Sequence, residues 1–527
     1  MKKFKRLAAV FVSAAMLTSV AAVSACSKGV SYSYPDKVSV YETTGTKASL
    51  LGRKSSISFS SFGEEDYTRQ TIYVSTDKTY QEYAGYGASM THASAYLLMR
   101  ADEETREDVL KDLFSREGAN FSVVRIPVGA SDYIPGDKYF TCDDLPEGQT
   151  DEALEHFNLD NDKDLIAVLK RVKEINPDVS FMASPWSAPA WMKQNESLLG
   201  GGALKESMYE VYADYLVKFV SEYAAQGLEI SLLTLVNEPG VGALSYPTMD
   251  MIAPEASLIT KYTGEKLAAQ GFDTDIVSWD FNYGSSSAAY ADTYFEAIYE
   301  EDAKTSGKYS GTVGFHCYDG DGYFNSETLY GLKNGIEKVS KDYGKTSLIT
   351  EITESAASKD FASNLSYSCK NVAVNPCAVQ TDADDNAWNG CGGALYWNFV
   401  LDSDGGPTPA SHGGNACYGV ISLDEVKRQG QTTYKYTKSS AYYAMAHISK
   451  FLYEVDGVPC RALKAVVANG IQGLSDICVM SYYRNDGAIV VVVCNTNDQS
   501  GSAIDVVIGN KKISYDMVPQ SVVTFVC

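Results

Sequence analysis

Positive charge is what this 527-residue chain has least of: 44 Lys and Arg stand against 67 Asp and Glu, for a formal net charge of -23. Nucleic acid and anionic lipid surfaces are held by basic patches, so neither is an expected partner. Histidine is scarce at 5 residues, and the 11 cysteines form no CxxC pair and no His/Cys cluster at metal-ligand spacing. No metal and no cofactor is therefore expected. No Gly-x-Gly-x-x-Gly follows a first strand, which removes the main sequence sign of an open doubly wound sheet. Apolar runs long enough to cross a membrane are missing as well.

The first residues belong to targeting rather than to the fold. Lys2, Lys3, Lys5 and Arg6 precede an apolar stretch over 7–20, and Val23-Ser24-Ala25-Cys26 follows. That pattern is a secretory signal. Small residues leading into a cysteine resemble the lipobox of bacterial lipoproteins. The resemblance implies cleavage after residue 25 and lipidation of Cys26, an extracellular or cell-surface location, and membrane contact only through the lipid anchor. An ordinary signal peptide is the alternative, with the same export. Export permits disulfides; Cys369, Cys377, Cys391 and Cys417 are either loop staples or small buried hydrophobes.

What is abundant is apolar and aromatic material, 45% and 12%, including 37 tyrosines. Segment 26–37 is a polar tether, and 38–78 carries two strand-like runs at 38–41 and 71–74. From 79 to 440 the pattern is strand, loop, helix. Strand-like runs fall at 83–90, 122–128, 179–184, 230–236, 274–279, 311–318, 346–352 and 393–399. Between them, apolar residues repeat at three- and four-residue spacing, as at Met208, Val211, Tyr212, Tyr215, Leu216 and Phe219. Eight strands alternating with helices predict an α/β fold with a closed (β/α)8 TIM barrel. Residues 441–527 open with a helix and turn β-rich, with a hairpin through Asn485-Asp486-Gly487. An Asp-Gly between alternating strands is a strong hairpin signal. With 38–78 they predict a small antiparallel β-sandwich side domain built from N- and C-terminal segments.

Two carboxylates stand where a barrel keeps its chemistry, just past the C-terminal ends of strands. Leu232-Leu233-Thr234-Leu235-Val236 stops at Asn237-Glu238-Pro239, and Ser347-Leu348-Ile349-Thr350 stops at Glu351. Glu354 lies further along, in a loop. A pair of carboxylates suits a retaining glycosidase, in which one acid protonates the leaving oxygen and the other attacks the anomeric carbon.

Several motifs then occur in order: Gly85-Tyr86-Gly87-Ala88-Ser89-Met90-Thr91, Arg125-Ile126-Pro127-Val128-Gly129-Ala130-Ser131-Asp132-Tyr133, Ala183-Ser184-Pro185-Trp186-Ser187-Ala188-Pro189-Ala190-Trp191-Met192-Lys193, and the Asn-Glu-Pro. Together they resemble glycoside hydrolase family 30, which includes glucosylceramidases and β-1,6-glucanases. The resemblance implies double displacement with Glu238 as acid/base and Glu351 as nucleophile. It implies sugar contacts from Asp132, Trp186, Asn237, Tyr246, His316, Tyr318 and Trp397. Arg125 would orient the nucleophile, and Tyr318 would hydrogen-bond it. Cys317 stands where glucosylceramidase-like members carry Trp, and His92 replaces an acidic residue. The Gly-rich stretch 402–417 reads as a rim, with Asn415 as a sugar contact.

The expected substrate is a β-linked glucan, β-1,6-linked, or a glucosylated lipid. Asp132 and Trp397 favour a glucosyl pocket. A β-xylosidase, xylanase or β-galactanase of the same fold, or a surface glycan-binding lipoprotein without catalysis, are the other readings.

Overall fold

Eight of the apolar runs pair side by side, all parallel, and close on themselves in a computed structural model of the chain. The structure describes residues 29–284, 286–301, 306–318, 326–353, 360–382, 386–412, 417–468 and 476–527. The signal segment, Cys26, Glu354 and Asn415 lie outside the described residues. The barrel strands are β1 (Gly85–Ser89), β2 (Val123–Val128), β3 (Ser180–Pro185), β4 (Ile230–Thr234), β5 (Asp275–Asn282), β6 (Thr312–His316), β7 (Thr346–Ile352) and β8 (Gly393–Tyr396). Gly87 shows how tightly they meet: a Cβ there would stand 1.7 Å from the Val123 carbonyl oxygen of β2.

A period of two along each strand divides the lumen into layers. Val123, Met182, Leu232, Val277, Leu348 and Leu395 form one apolar cluster. Two residues further toward the C-terminal ends stand Arg125, Ser184, Thr234, Thr350 and Trp397, all buried. The lower layer is therefore a hydrophobic plug, and the upper layer is polar floor for whatever sits at the mouth.

The other domain is built from a sheet of ten strands. Ser39–Thr44 pairs with Ser521–Val526, and the 13-residue strand Gln70–Glu82 pairs with Arg461–Val467 on one side and Ser502–Ile508 on the other. The strands enclose their own core of Val, Ile and Leu. Strand Gln70–Glu82 runs past the expected barrel start at 79. Helix Ser440–Ser449, which the sequence assigns to the C-terminal module, forms the joint: Tyr482 of the sandwich donates to the Ile448 carbonyl, and His447 lies between Thr43 and Thr524. Among the described residues no helix is long and apolar enough to cross a membrane.

None of the ten described cysteines forms a disulfide. Cys369, Cys377 and Cys391 are small buried hydrophobes rather than loop staples, and Cys417 is half-buried. Cys317 is buried in the main core, so no wall residue stands there.

Candidate active site

Arg125 is the hub of the mouth. It is fully buried in β2, and a buried guanidinium must find anions. One nitrogen donates to Glu351 at 2.6 Å; the other donates to the Asn237 amide oxygen at 2.6 Å, to Asp280 at 3.0 Å and to Ser184 at 3.2 Å. Ser184 donates to Asp280 at 2.8 Å and accepts from Thr234 at 2.7 Å. Strands β2, β3, β5 and β7 are thereby tied to one cation. The expectation for Arg125, that it orients Glu351, fits this contact.

His316 at the end of β6 connects the two carboxylates. Its ring nitrogens lie 2.9 Å from Glu238 and 3.1 Å from Asp280, and Glu351 is 4.0 Å away. Burial disfavours charge on the ring, but Glu351, Asp280 and Glu238 together push its pKa up to about 10. His316 is therefore an imidazolium at neutral pH. For Asp280, burial alone would raise the pKa; the Arg125 charge and the His316 hydrogen bond reverse this and hold the carboxyl well below the usual range. Burial, reinforced by Glu238, pushes the Glu351 carboxyl up to about 7 against the pull of His316 and Arg125. One oxygen of Glu238, one of Glu351 and a His316 nitrogen all lie within 4.8 Å of one another. Such a triad has metal spacing, yet a protonated imidazole has no lone pair to give and Glu351 already holds a guanidinium.

The backbone is strained around this cluster. Glu238, Trp279, Asp280 and Asn398 have φ of 50°, 76°, 61° and 111°. Non-glycine residues at positive φ persist where the surroundings over-determine them, commonly at functional sites. The register of β5 against β6 shifts between Gly314 and Phe315, and that of β6 against β7 between Phe315 and His316. These bulges re-aim side chains, turning Asp280, His316 and Glu351 toward one point.

The wall contains Trp186 and Trp397, with ring centroids 5.2 Å apart and tilted 31°. The Arg125 guanidinium lies 4.9 Å from one ring and 5.6 Å from the other. Both indoles are almost wholly buried, so they offer edges to a ligand. Tyr133 and Leu401 join them, and Tyr246 and Cys417 pack alongside. Asp132 meets His412 at 3.3 Å. Burial raises the Asp132 pKa, and His412 pulls it back.

Asp132, Trp186, Asn237, Tyr246, His316, Tyr318 and Trp397 thus stand around the mouth, Asn415 lies outside the described residues, and one detail is corrected. Tyr318 does not hydrogen-bond Glu351; its ring packs edge-on against His316, and its buried hydroxyl has no hydrogen-bond partner among the described residues. The part of the 402–417 rim that is described crosses neighbouring loops, with Ala410 donating to Asp137 and Ser411 to the Ser245 carbonyl. Sequence reasoning missed Asp280, Asn398 and His412. Asp280 carried a signal: a lone carboxylate in Ser278-Trp279-Asp280-Phe281 inside a core strand. The reading ended that strand at 279, three residues short of Asn282 and one short of Asp280. His412 carried none, because its partner Asp132 is remote in sequence.

The sequence model described as the Glycosyl hydrolase family 30 TIM-barrel domain matches residues 83–452, and the family's beta sandwich domain matches 466–525. The chain is 27% identical over 485 residues to "Endo-1,6-beta-D-glucanase neg1" of Aspergillus fumigatus, covering 88% of each. It is 24% identical over 447 residues to "Lysosomal acid glucosylceramidase" of Mus musculus, covering 81% of this chain and 78% of that one. Among solved structures it resembles "The endo-beta1,6-glucanase BT3312" with a TM-score of 0.74 and 26% identity, over 93% of this chain and 98% of that one.

Proposed function

The chain belongs to glycosyl hydrolase family 30 and is a glycoside hydrolase, and from that premise we propose that it is an exported retaining β-glycosidase acting on β-1,6-linked glucan. One observation carries the mechanism: the facing oxygens of Glu238 and Glu351 lie within 4.8 Å, bridged by charged His316 and anchored by Arg125. Inverting enzymes keep a gap of about 6.5–9.5 Å for a water, whereas a retaining pair needs only about 5–5.5 Å. In this reading Glu238 protonates the glycosidic oxygen while Glu351 attacks the anomeric carbon. The bond to the leaving sugar breaks and a glycosyl–Glu351 ester forms. Glu238 then takes a proton from water, which displaces Glu351.

The charges suit these roles. Arg125 at 2.6 Å favours the anion on Glu351, the form in which it attacks. His316 stabilises the Glu238 carboxylate once its proton has gone. Several buried polar atoms have no hydrogen-bond partner among the described residues, including an Asp132 oxygen, the Tyr318 hydroxyl and the Asn398 amide nitrogen. Orphans of that kind suit a sugar's hydroxyls. The β-1,6 linkage is supported by the names of the relatives that the chain matches along most of its length. A glucosylated lipid is the second substrate, supported by the glucosylceramidase relative. Export rests on the N-terminal signal pattern, with Cys26 as the lipid anchor.

Glu351→Ala should lower kcat on an aryl β-glucoside by about four orders of magnitude or more. Azide should partly restore it, giving the α-azide. Rescue of Glu354→Ala instead would overturn the assignment. The pH–rate profile should be bell-shaped, reporting the two carboxylates together, and a flat profile between about pH 4 and 8 would count against the mechanism. Product analysis on linear β-1,6-glucan beside glucosylceramide decides the substrate. Wild type and Glu351→Gln that bind glycan equally without turnover would indicate a binding protein.

A further inference from the structure

Residues 129–159, between β2 and the short turn Asp160–Asp162, carry neither helix nor strand. So long an irregular loop is uncommon in a packed domain and needs something to hold it. Near its far end lies a cluster apart from the mouth. One ligand atom each from Asp143, Asp151 and His156 lie within 4.8 Å of one another.

Asp143 is the anomaly. It is 0% exposed, and among the described residues neither carboxylate oxygen has a hydrogen-bond partner, although its backbone is tied down by Trp191 and Thr141. Leaving a buried carboxylate unpaired costs several kcal/mol, on the order of the penalty for burying any uncompensated charge. The group it faces makes matters worse, because Asp151 is also an acid and 7% exposed. Asp151 accepts from the His156 backbone and lies 2.8 Å from His156 Nδ1. Asp144 and Glu155 add negative charge nearby; Lys218 offsets part of it, with its Nζ engaged by the Leu154 carbonyl. His156 is 65% exposed, so the cluster opens to solvent on one side.

We propose that Asp143, Asp151 and His156 bind a first-row divalent cation of the zinc class, which staples loop 129–159. Two carboxylates, one imidazole and room for water form a mixed O/N set that such ions accept, whereas calcium and magnesium prefer oxygen alone. Tetrahedral metal–ligand bonds of about 2.0–2.2 Å place ligand atoms about 3.3–3.6 Å apart, so the present spacing, within 4.8 Å, closes with side-chain shifts of at most about 1.5 Å. The imidazole must give up to the ion the lone pair that a proton otherwise occupies. Binding therefore releases protons. The cation also supplies the partner that both Asp143 oxygens lack.

Calorimetric titration of the tag-free, dialysed full chain with Zn2+ should give one ion per chain, with heats that differ between buffers of different ionisation enthalpy. Zn2+ should raise Tm. Asp143→Asn should weaken binding at least a hundredfold, while Tm without metal holds or rises as an uncompensated charge is removed. His156→Ala, at an exposed position, keeps the fold whatever Asp143→Asn does, and should weaken binding at least tenfold. Co2+ should give visible absorption that His156→Ala abolishes. No zinc binding, or zinc binding unchanged in His156→Ala, would overturn the proposal and leave a proton as what Asp143 and Asp151 share. So would Ca2+ binding that survives His156→Ala.

Discussion

Two buried histidines mark the two regions of this molecule. His316 at the barrel mouth and His447 at the seam between barrel and sandwich are 1% and 0% exposed. Burial penalises charge on both. At the mouth Glu238, Glu351 and Asp280 outweigh that penalty and the pKa climbs to about 10; at the seam the neighbours are two threonine hydroxyls, and burial drives the pKa down to about 3. The same side chain is thus a fixed cation where chemistry is done and a neutral connector where domains join. The lesson is that charge in a core follows neighbours, not burial alone.

The sharpest way to break the contrast is to remove an anion from the mouth. Asp280→Asn should leave the fold intact but misplace Arg125 and His316 together, lowering kcat by about 10²- to 10⁴-fold, as loss of a buried positioning carboxylate does elsewhere. The pH–rate profile should shift with it. A kcat within threefold of wild type and an unmoved profile would separate Asp280 from the chemistry.

At the seam the expected effect is on stability. His447 has a folded pKa below its ordinary 6.5, so the stability it contributes is present above 6.5 and is lost as pH falls toward 3. By pH 4 the loss is about 3 kcal/mol. His447→Gln keeps hydrogen-bonding capacity without that titration, and its Tm should fall less steeply between pH 6.5 and 4. His316 has the opposite sign: its contribution is complete below 6.5 and disappears as pH rises through about 10. A seam variant whose acid sensitivity matches wild type would remove the distinction.

The smallest effect is expected at the rim. His412→Ala removes the partner that pulls the Asp132 pKa back down, which should raise KM about three- to tenfold with kcat nearly unchanged. An equal fall in kcat would instead place His412 with the reacting groups.

Much of this was legible before any coordinates. Alternating strand and helix periods determined the barrel, because apolar spacing decides which face each segment must bury. Strand-terminal position picked out Glu238 and Glu351, since a strand running outward leaves its last side chains at the rim. Arg125, a lone cation in an apolar strand, announced that anions must meet it. Tertiary structure alone decided which anions those are. Asp280 enters the mouth through a bulge, and a one-residue shift sends a side chain to the opposite face, which a pattern of period two cannot foresee. His412 and Asp132 meet across a loop crossing, and Asp143 and His156 across a turn without regular structure. Local sequence fixes what each strand must bury; only closure of the barrel determines which charges are brought face to face.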